Sequence, residues 1–210
     1  MRLWILASLW ALCASSTIVP PDFVIHLTDR KEKLVRFDLD FGDFEIRGVQ
    51  ASLDARFESL RLPASVSKSG LSRPEIDFAD PALRHRVLQG LIALVAGRAP
   101  APSKQGFGLA PAPERALRLT WLEPSPPRSR WHLAKGEIWL GGMVAVKFSL
   151  MKSQWTGESK SWWIAYPAEW VAHDRRWSDL VVIKDRKLKK RIAEFARQTY
   201  LERYAKESDD

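Results

Sequence analysis

The chain has 210 residues, 46% of them hydrophobic, and a formal net charge of +8. That hydrophobic share supports a packed core and argues against disorder, and the length suits one two-lobed domain or two small ones. The single cysteine, Cys13, leaves the rest of the chain with neither a disulfide framework nor a thiolate metal site.

Residues 1–20 open with Arg2 and the apolar run Leu3–Ala14, with Ala14 and Ser16 as small residues at a cleavage position. This has the form of a short secretory signal, or of a translation start placed too early, and it is too short to span a bilayer comfortably. A first unit follows over residues 21–98. Phe23–Leu27 and Leu34–Phe41 read as strands around the charged turn Asp29–Lys33, and Gly42-Asp43 turns the chain into Phe44-Glu45-Ile46. Phe57–Leu62 ends at Pro63, which has no N–H to give a ladder. After the strand Glu75–Phe78, a helix is punctuated by Asp80 as cap, Pro81 at its first position and Gly97 past its end.

Residues 99–116 are rich in Ala and Pro and read as a linker. The second unit, residues 117–206, carries the strands Leu117–Leu122, Trp131–Leu140, Met143–Met151, Trp162–Tyr166 and Leu180–Ile183, with Gly141-Gly142 as a turn. A helix from Arg186 to Tyr204 closes it. The two units repeat one pattern. Ile76–Val87 and Val181–Ile192 align at an offset of 105 positions as strand, capping Asp and helix, and Pro63-Ala64 corresponds to Pro167-Ala168. The fold class expected is therefore α+β: two tandem units, each an antiparallel sheet followed by one C-terminal helix that covers one face.

The second unit resembles the SpoVG family (stage V sporulation protein G, a septation regulator). The resemblance rests on the strands Met143–Met151, Trp163–Ala168 and Leu180–Ile183, and on the helix Asp185–Tyr204 with Tyr200 and Tyr204 near its end; the first unit repeats the outline more faintly. It implies a β-rich unit with a C-terminal helix that binds nucleic acid without catalysis. The chain departs from that pattern at Ala168-Glu169-Trp170, where such proteins tend to be basic, and at Asp174–Trp177, where a Gly-containing turn is usual. A weaker similarity is to tandem single-strand binders of the PUR and Whirly families.

The two units differ in chemistry. Residues 21–98 hold 12 Lys/Arg against 12 Asp/Glu, residues 99–210 hold 20 against 13, and all eight tryptophans after residue 20 lie between Trp121 and Trp177. A basic, aromatic-rich half points to an anionic partner with flat faces. The candidate nucleic-acid-binding residues are Trp155, Lys160, Trp170, Arg175, Arg176, Trp177, Lys184, Arg186, Lys187, Lys190, Arg191 and Arg197. Among them the helix-start cations Arg186, Lys187, Lys190 and Arg191 would meet a phosphate at the N-terminus. On a helical wheel Leu188, Ile192, Phe195 and Thr199 form the inner stripe, with Arg186, Lys190 and Arg197 behind. The first helix has Leu83, Val87, Leu91 and Leu94 inside, and Leu88, Ile92 and Val95 on or beside its back. An apolar back predicts a contact between copies or a homodimer through these three residues. Of Trp162 and Trp163, strand neighbours, one must face each side of the sheet.

Catalytic signatures are absent: the four histidines are scattered, and there is no nucleophile elbow, P-loop or dinucleotide fingerprint. Asp38, Asp40, Asp43 and Glu45 alternate as a solvated strand face would, so no metal or cofactor is expected. The function expected is non-catalytic, cytoplasmic binding of nucleic acid, with no small-molecule substrate. The rival is an exported or envelope-associated structural protein whose basic surface meets acidic polymer or lipid.

Overall fold

The computed structural model of the protein describes residues 23–54, 57–97, 117–126, 131–153 and 162–204, with residues 57 and 58 as backbone only. The first unit contributes β1 (Val24–Lys31), β2 (Leu34–Asp40), β3 (Phe44–Asp54), β4 (Phe57–Arg61), β5 (Ala64–Val66), β6 (Ser72–Pro74), β7 (Ile76–Phe78) and α1 (Pro81–Val95). The second repeats the series as β8 (Leu117–Pro124), β9 (His132–Leu140), β10 (Val144–Lys152), β11 (Trp162–Ala165), β12 (Ala168–Val171), β13 (Arg176–Asp179), β14 (Val181–Ile183) and α2 (Arg186–Tyr204). The fold is α+β and, one strand pair apart, antiparallel, and the order of elements is the same in both halves.

The halves are not separate bodies. The first sheet runs β1-β2-β3-β14, with β4 also on β3, and the second runs β11-β10-β9-β8, with β7 also on β10. Each pre-helix strand has crossed to the other half: Ile183, Val182 and Val181 pair with Phe44, Glu45 and Ile46, while Phe78, Asp77 and Ile76 pair with Val144, Ala145 and Val146. Backbone bonds at the margins of the two ladders match in turn. Lys184 N donates to the Asp43 carbonyl at 2.8 Å as Ala79 N does to Met143 at 2.9 Å, and Arg47 N donates to the Leu180 carbonyl at 2.9 Å as Lys147 N does to Glu75 at 2.8 Å. The exchange satisfies backbone groups that β3 and β10 would otherwise leave unpaired at buried positions, since Phe44, Ile46, Val144 and Val146 are all fully buried. One core results, with side chains from both halves.

The chain crosses over through a third, small sheet that the sequence pattern did not reveal, β13-β12-β5-β6. In it β5 and β12 run parallel, with Glu169 opposite Val66, and Pro63 and Pro167 stand before the two equivalent strands. The hairpins β5–β6 and β12–β13 form two arms, and each arm reaches across to the other half's sheet.

Local signals place the remaining elements. Gly141 and Gly142, at φ 59° and 68°, form the two-residue turn between β9 and β10 that positive φ at both positions permits. Asp80 Oδ1 accepts from Ala82 N and Asp185 Oδ1 from Lys187 N, both at 2.8 Å, so the helices share one cap. A Cβ at Gly136 would stand 2.7 Å from Phe148 Cζ and 2.9 Å from Leu122 Cδ1, so glycine there lets the second sheet's core close. No described helix is long and apolar enough to cross a membrane.

One wheel assignment needs correction. On α2 the side chains packed on the core are Leu188, Ile192, Ala193, Ala196, Tyr200 and Tyr204, dominated by an i, i+4 series, whereas Phe195 is 37% exposed. The halves meet through β7, β14 and the β5–β12 pair, while α1 lies against β1, β4 and β7. Leu88, Ile92 and Val95 are each half-buried there.

One ion cluster fastens the exchange in the first sheet. Lys184, just after β14, places Nζ 2.7 Å from Asp40 Oδ2 and 3.2 Å from Glu45 Oε2. Burial alone would raise the Asp40 carboxyl, but the bonds from Lys184 and Gly42 outweigh it and hold the group below its ordinary 3.8. A lowered acid stabilises the fold above its unfolded value, and that contribution is lost as pH falls through the folded value. Replacing Lys184→Met should therefore cost up to ~1 kcal/mol near neutrality, the modest size reflecting solvent screening of a partly exposed pair. In urea titrations the gap between wild type and variant should shrink as pH drops below 3.8; a pH-independent gap would show that the cluster does not carry it.

Candidate nucleic-acid interface

Period-two alternation gives the second sheet two unlike faces. Ala134, Gly136, Ile138 and Leu140 of β9, with Val144, Val146, Phe148 and Leu150 of β10, pack inward beneath α2. Lys135, Glu137 and Trp139 of β9, Lys147, Ser149 and Met151 of β10, and Trp121 of β8 turn the other way. The β11 tryptophans divide between the faces. Trp162 meets Tyr200 of α2 edge-on with centroids 5.7 Å apart, and Trp163 is 48% exposed on the open side opposite Met151.

Over this open face lies the β5–β6 arm, and between them runs a groove of about 610 Å³. Its cations are Arg73 from the arm and Lys135 and Lys147 from the sheet; its flat walls are Trp121, Tyr166 and Trp177. Among the described residues none of these three cations is in an ion pair, although Lys147 Nζ touches the Pro74 carbonyl at 3.4 Å. The one carboxylate in the lining, Glu75, accepts from Ser65 Oγ at 2.6 Å. Burial first, and then the charge of Lys135, pushes the nearby His132 pKa down. Burial pushes the Tyr166 phenol well up, so it stays protonated, and its Oη has no hydrogen-bond partner among the described residues. Beside the groove, Arg118 lies over the Trp139 ring at 5.1 Å, a cation held against an aromatic face.

The corresponding face of the first sheet has the opposite character. Where the second sheet has Lys135 and Lys147, the first has Arg36 and Arg47 on equivalent strands. There, however, Arg36 Nη2 is 3.3 Å from Glu169 Oε1 of the other arm, and Arg47 Nε is 3.2 Å from Glu45 Oε1. Asp29 and Asp38 line the same 320 Å³ recess, and it holds no aromatic side chain.

The residues singled out from sequence fall into separate places. Trp170 and Trp177 are cross-strand partners on the β12–β13 arm, edge-on at 5.5 Å, with Lys68 Nζ 4.6 Å from the Trp170 centroid. Trp177 is 50% exposed and alone among the described sequence candidates lines the groove. Arg175 sits exposed at the arm's turn with φ 51°, and Arg176 is held by Asp174 at 3.1 Å. Lys184 is consumed by Asp40 and Glu45. Arg186, Lys187, Lys190 and Arg191 are exposed on α2, which covers the sheet's other face, so they share no surface with Lys135 and Trp121. Arg197 does not stand on a free back ridge: it lies 5.9 Å from the Trp162 centroid and 3.3 Å from Glu194. Trp155 and Lys160 lie outside the described residues.

Lys135, Lys147, Trp121 and Trp139 went unselected in the sequence although alternation along 133–140 and 144–151 marks their shared face. Arg73 had no local signal, because only the crossing of the arms brings it there. No protein family, curated protein or solved structure matches the chain.

The two faces of β11 make a direct prediction. Trp162→Ala should destabilise the protein by ~2–4 kcal/mol, because it opens a cavity under α2, whereas Trp163→Ala should stay within about 0.5 kcal/mol. Urea unfolding of both variants checks it, and equal losses would mean the face assignment is wrong.

Proposed function

We propose that the protein binds nucleic acid without catalysis, through the open face of the second sheet and the groove above it, and that its ligand is a single strand. One observation carries this reading: three cations free of ion pairs, Arg73, Lys135 and Lys147, converge on a groove walled by Trp121, Tyr166 and Trp177. Cations outside ion pairs offer a phosphate backbone the release of its counterions, and aromatic walls offer bases a stacking surface worth ~1–3 kcal/mol each. A duplex hides its base faces. A strand with unstacked bases presents both charge and ring to such a groove, and 610 Å³ lies within the ~300–1,000 Å³ range of sites that enclose a small ligand, so a nucleotide or two fits it. The resemblance to SpoVG implies the same class of ligand. The basic ridge of α2 becomes an outlying surface in this reading, because it faces away from every aromatic wall of the groove.

Titration of a short labelled single-stranded oligonucleotide at several salt concentrations tests the proposal. With three phosphate contacts the slope of log K against log salt should be about −2, from ~0.7 per contact on a single strand. Lys135→Glu with Lys147→Glu should abolish binding, and Arg186→Glu with Lys190→Glu should leave most of it. Loss in the α2 variant alone would move the site to the helix. Binding of polyphosphate as tight as that of the oligonucleotide would overturn a role for bases and favour an acidic-polymer partner.

A further inference from the structure

We infer that the groove is a composite site, one per chain, in which the first unit supplies a wall and a phosphate contact; this rests on the nucleic-acid reading above. The arms carry it. Positions 65 and 73 of the first arm correspond to 169 and 178 of the second, by the same offsets that relate Pro63 to Pro167 and Ile76 to Val181. Over the second sheet, the first arm presents Ser65 and Arg73. Over the first sheet, the second arm presents Glu169 and Ser178. The exchange of arms is thus symmetric in backbone and unlike in charge: the first unit brings Arg73 together with Glu75, which is bonded to Ser65, whereas the second arm brings Glu169 without a cation of its own.

The consequence is different for the two recesses. In the first sheet, Glu169 neutralises Arg36 at 3.3 Å and, with Asp29 and Asp38, makes the recess repel an anion. In the second, the equivalent place is a neutral serine whose hydroxyl is spent on Glu75 at 2.6 Å, and Arg73 adds a cation on the wall facing Lys135 and Lys147. A phosphate backbone entering there meets positive charge from both halves of the chain. The first unit is then part of the binding site rather than a packing module. Arg73 is fully outside the cores, exposed on the short edge strand β6, so its replacement removes charge and little else.

The test uses the full chain, a short fluorescein-labelled single-stranded oligothymidylate, and a glutamate placed at equivalent positions of the two arms, with circular dichroism and urea midpoints confirming that each variant is folded. Wild type should bind one strand per chain. Arg73→Glu should lower affinity by about tenfold or more and flatten the salt slope by at least about 0.7, the value of one phosphate contact. Ser178→Glu, the same charge placed on the other arm, should change affinity less than about twofold, since no phosphate contact is near it. If Arg73→Glu binds as wild type while the Lys135/Lys147 double variant does not, the composite site is wrong and the nucleic-acid reading stands. A stoichiometry of two strands per chain also overturns the composite site. If wild type does not bind at low salt, the reading itself fails and this inference with it.

Discussion

The structure depends on two three-residue ladders, β7 on β10 and β14 on β3. Each is short, yet each closes the exposed backbone of a strand whose side chains are already buried, where an unpaired N–H or C=O costs ~1–3 kcal/mol. Once the pre-helix strand is fixed in the opposite sheet and its helix has returned to the home sheet, the chain between must pass through the middle. The small sheet and the two crossing arms follow from that path. So does the merging of what would be two modest cores into one.

The same constraint explains how one half acquired a surface the other lacks. Backbone bonds tie both sheets to the same geometry, so the copies are free to differ only in outward side chains. Arg36 and Arg47 keep the positive character of Lys135 and Lys147, but Glu169, Glu45, Asp29 and Asp38 stand with them, and among the described residues no tryptophan lines their recess. Two faces with like backbones, each with two cations on equivalent strands, therefore differ in whether the protein's own acids hold those cations. A fold supplies positions, and the chemistry lies in what occupies them.

Much of this was legible in the residues. Asp80-Pro81 with Gly97 bounded α1, Gly141-Gly142 placed a hairpin, and α2 came at its observed limits, because caps and turns are local decisions. Alternation at Trp162-Trp163 foretold one inward and one outward ring. The concentration of Lys, Arg and Trp in the second half is a compositional signal, and the groove's Trp121, Lys135, Lys147 and Trp177 belong to it. What failed was whatever depends on distant pairing. β5, β6, β12 and β13 are three or four residues long, with no periodicity to detect, and exist because their partners are brought to them. The inner face of α2 follows the i, i+4 series from Leu188 to Tyr204 and leaves Phe195 outside, because the side chains it packs against come from distant strands. Lys184 looked like a free cation beside other lysines, and only the arrival of β14 on β3 sets it between Asp40 and Glu45.

The exchange also has a cost in time. β3 is complete early in synthesis, but the strand that covers Phe44–Ile46 is Val181–Ile183, near the far end of the described chain. At ~5–20 residues per second, the ribosome leaves that hydrophobic edge uncovered for roughly ten seconds. During that interval the first half carries an unpaired strand edge with Asp40, Asp43 and Glu45 beside it. Like charges along such an edge disfavour pairing with another chain.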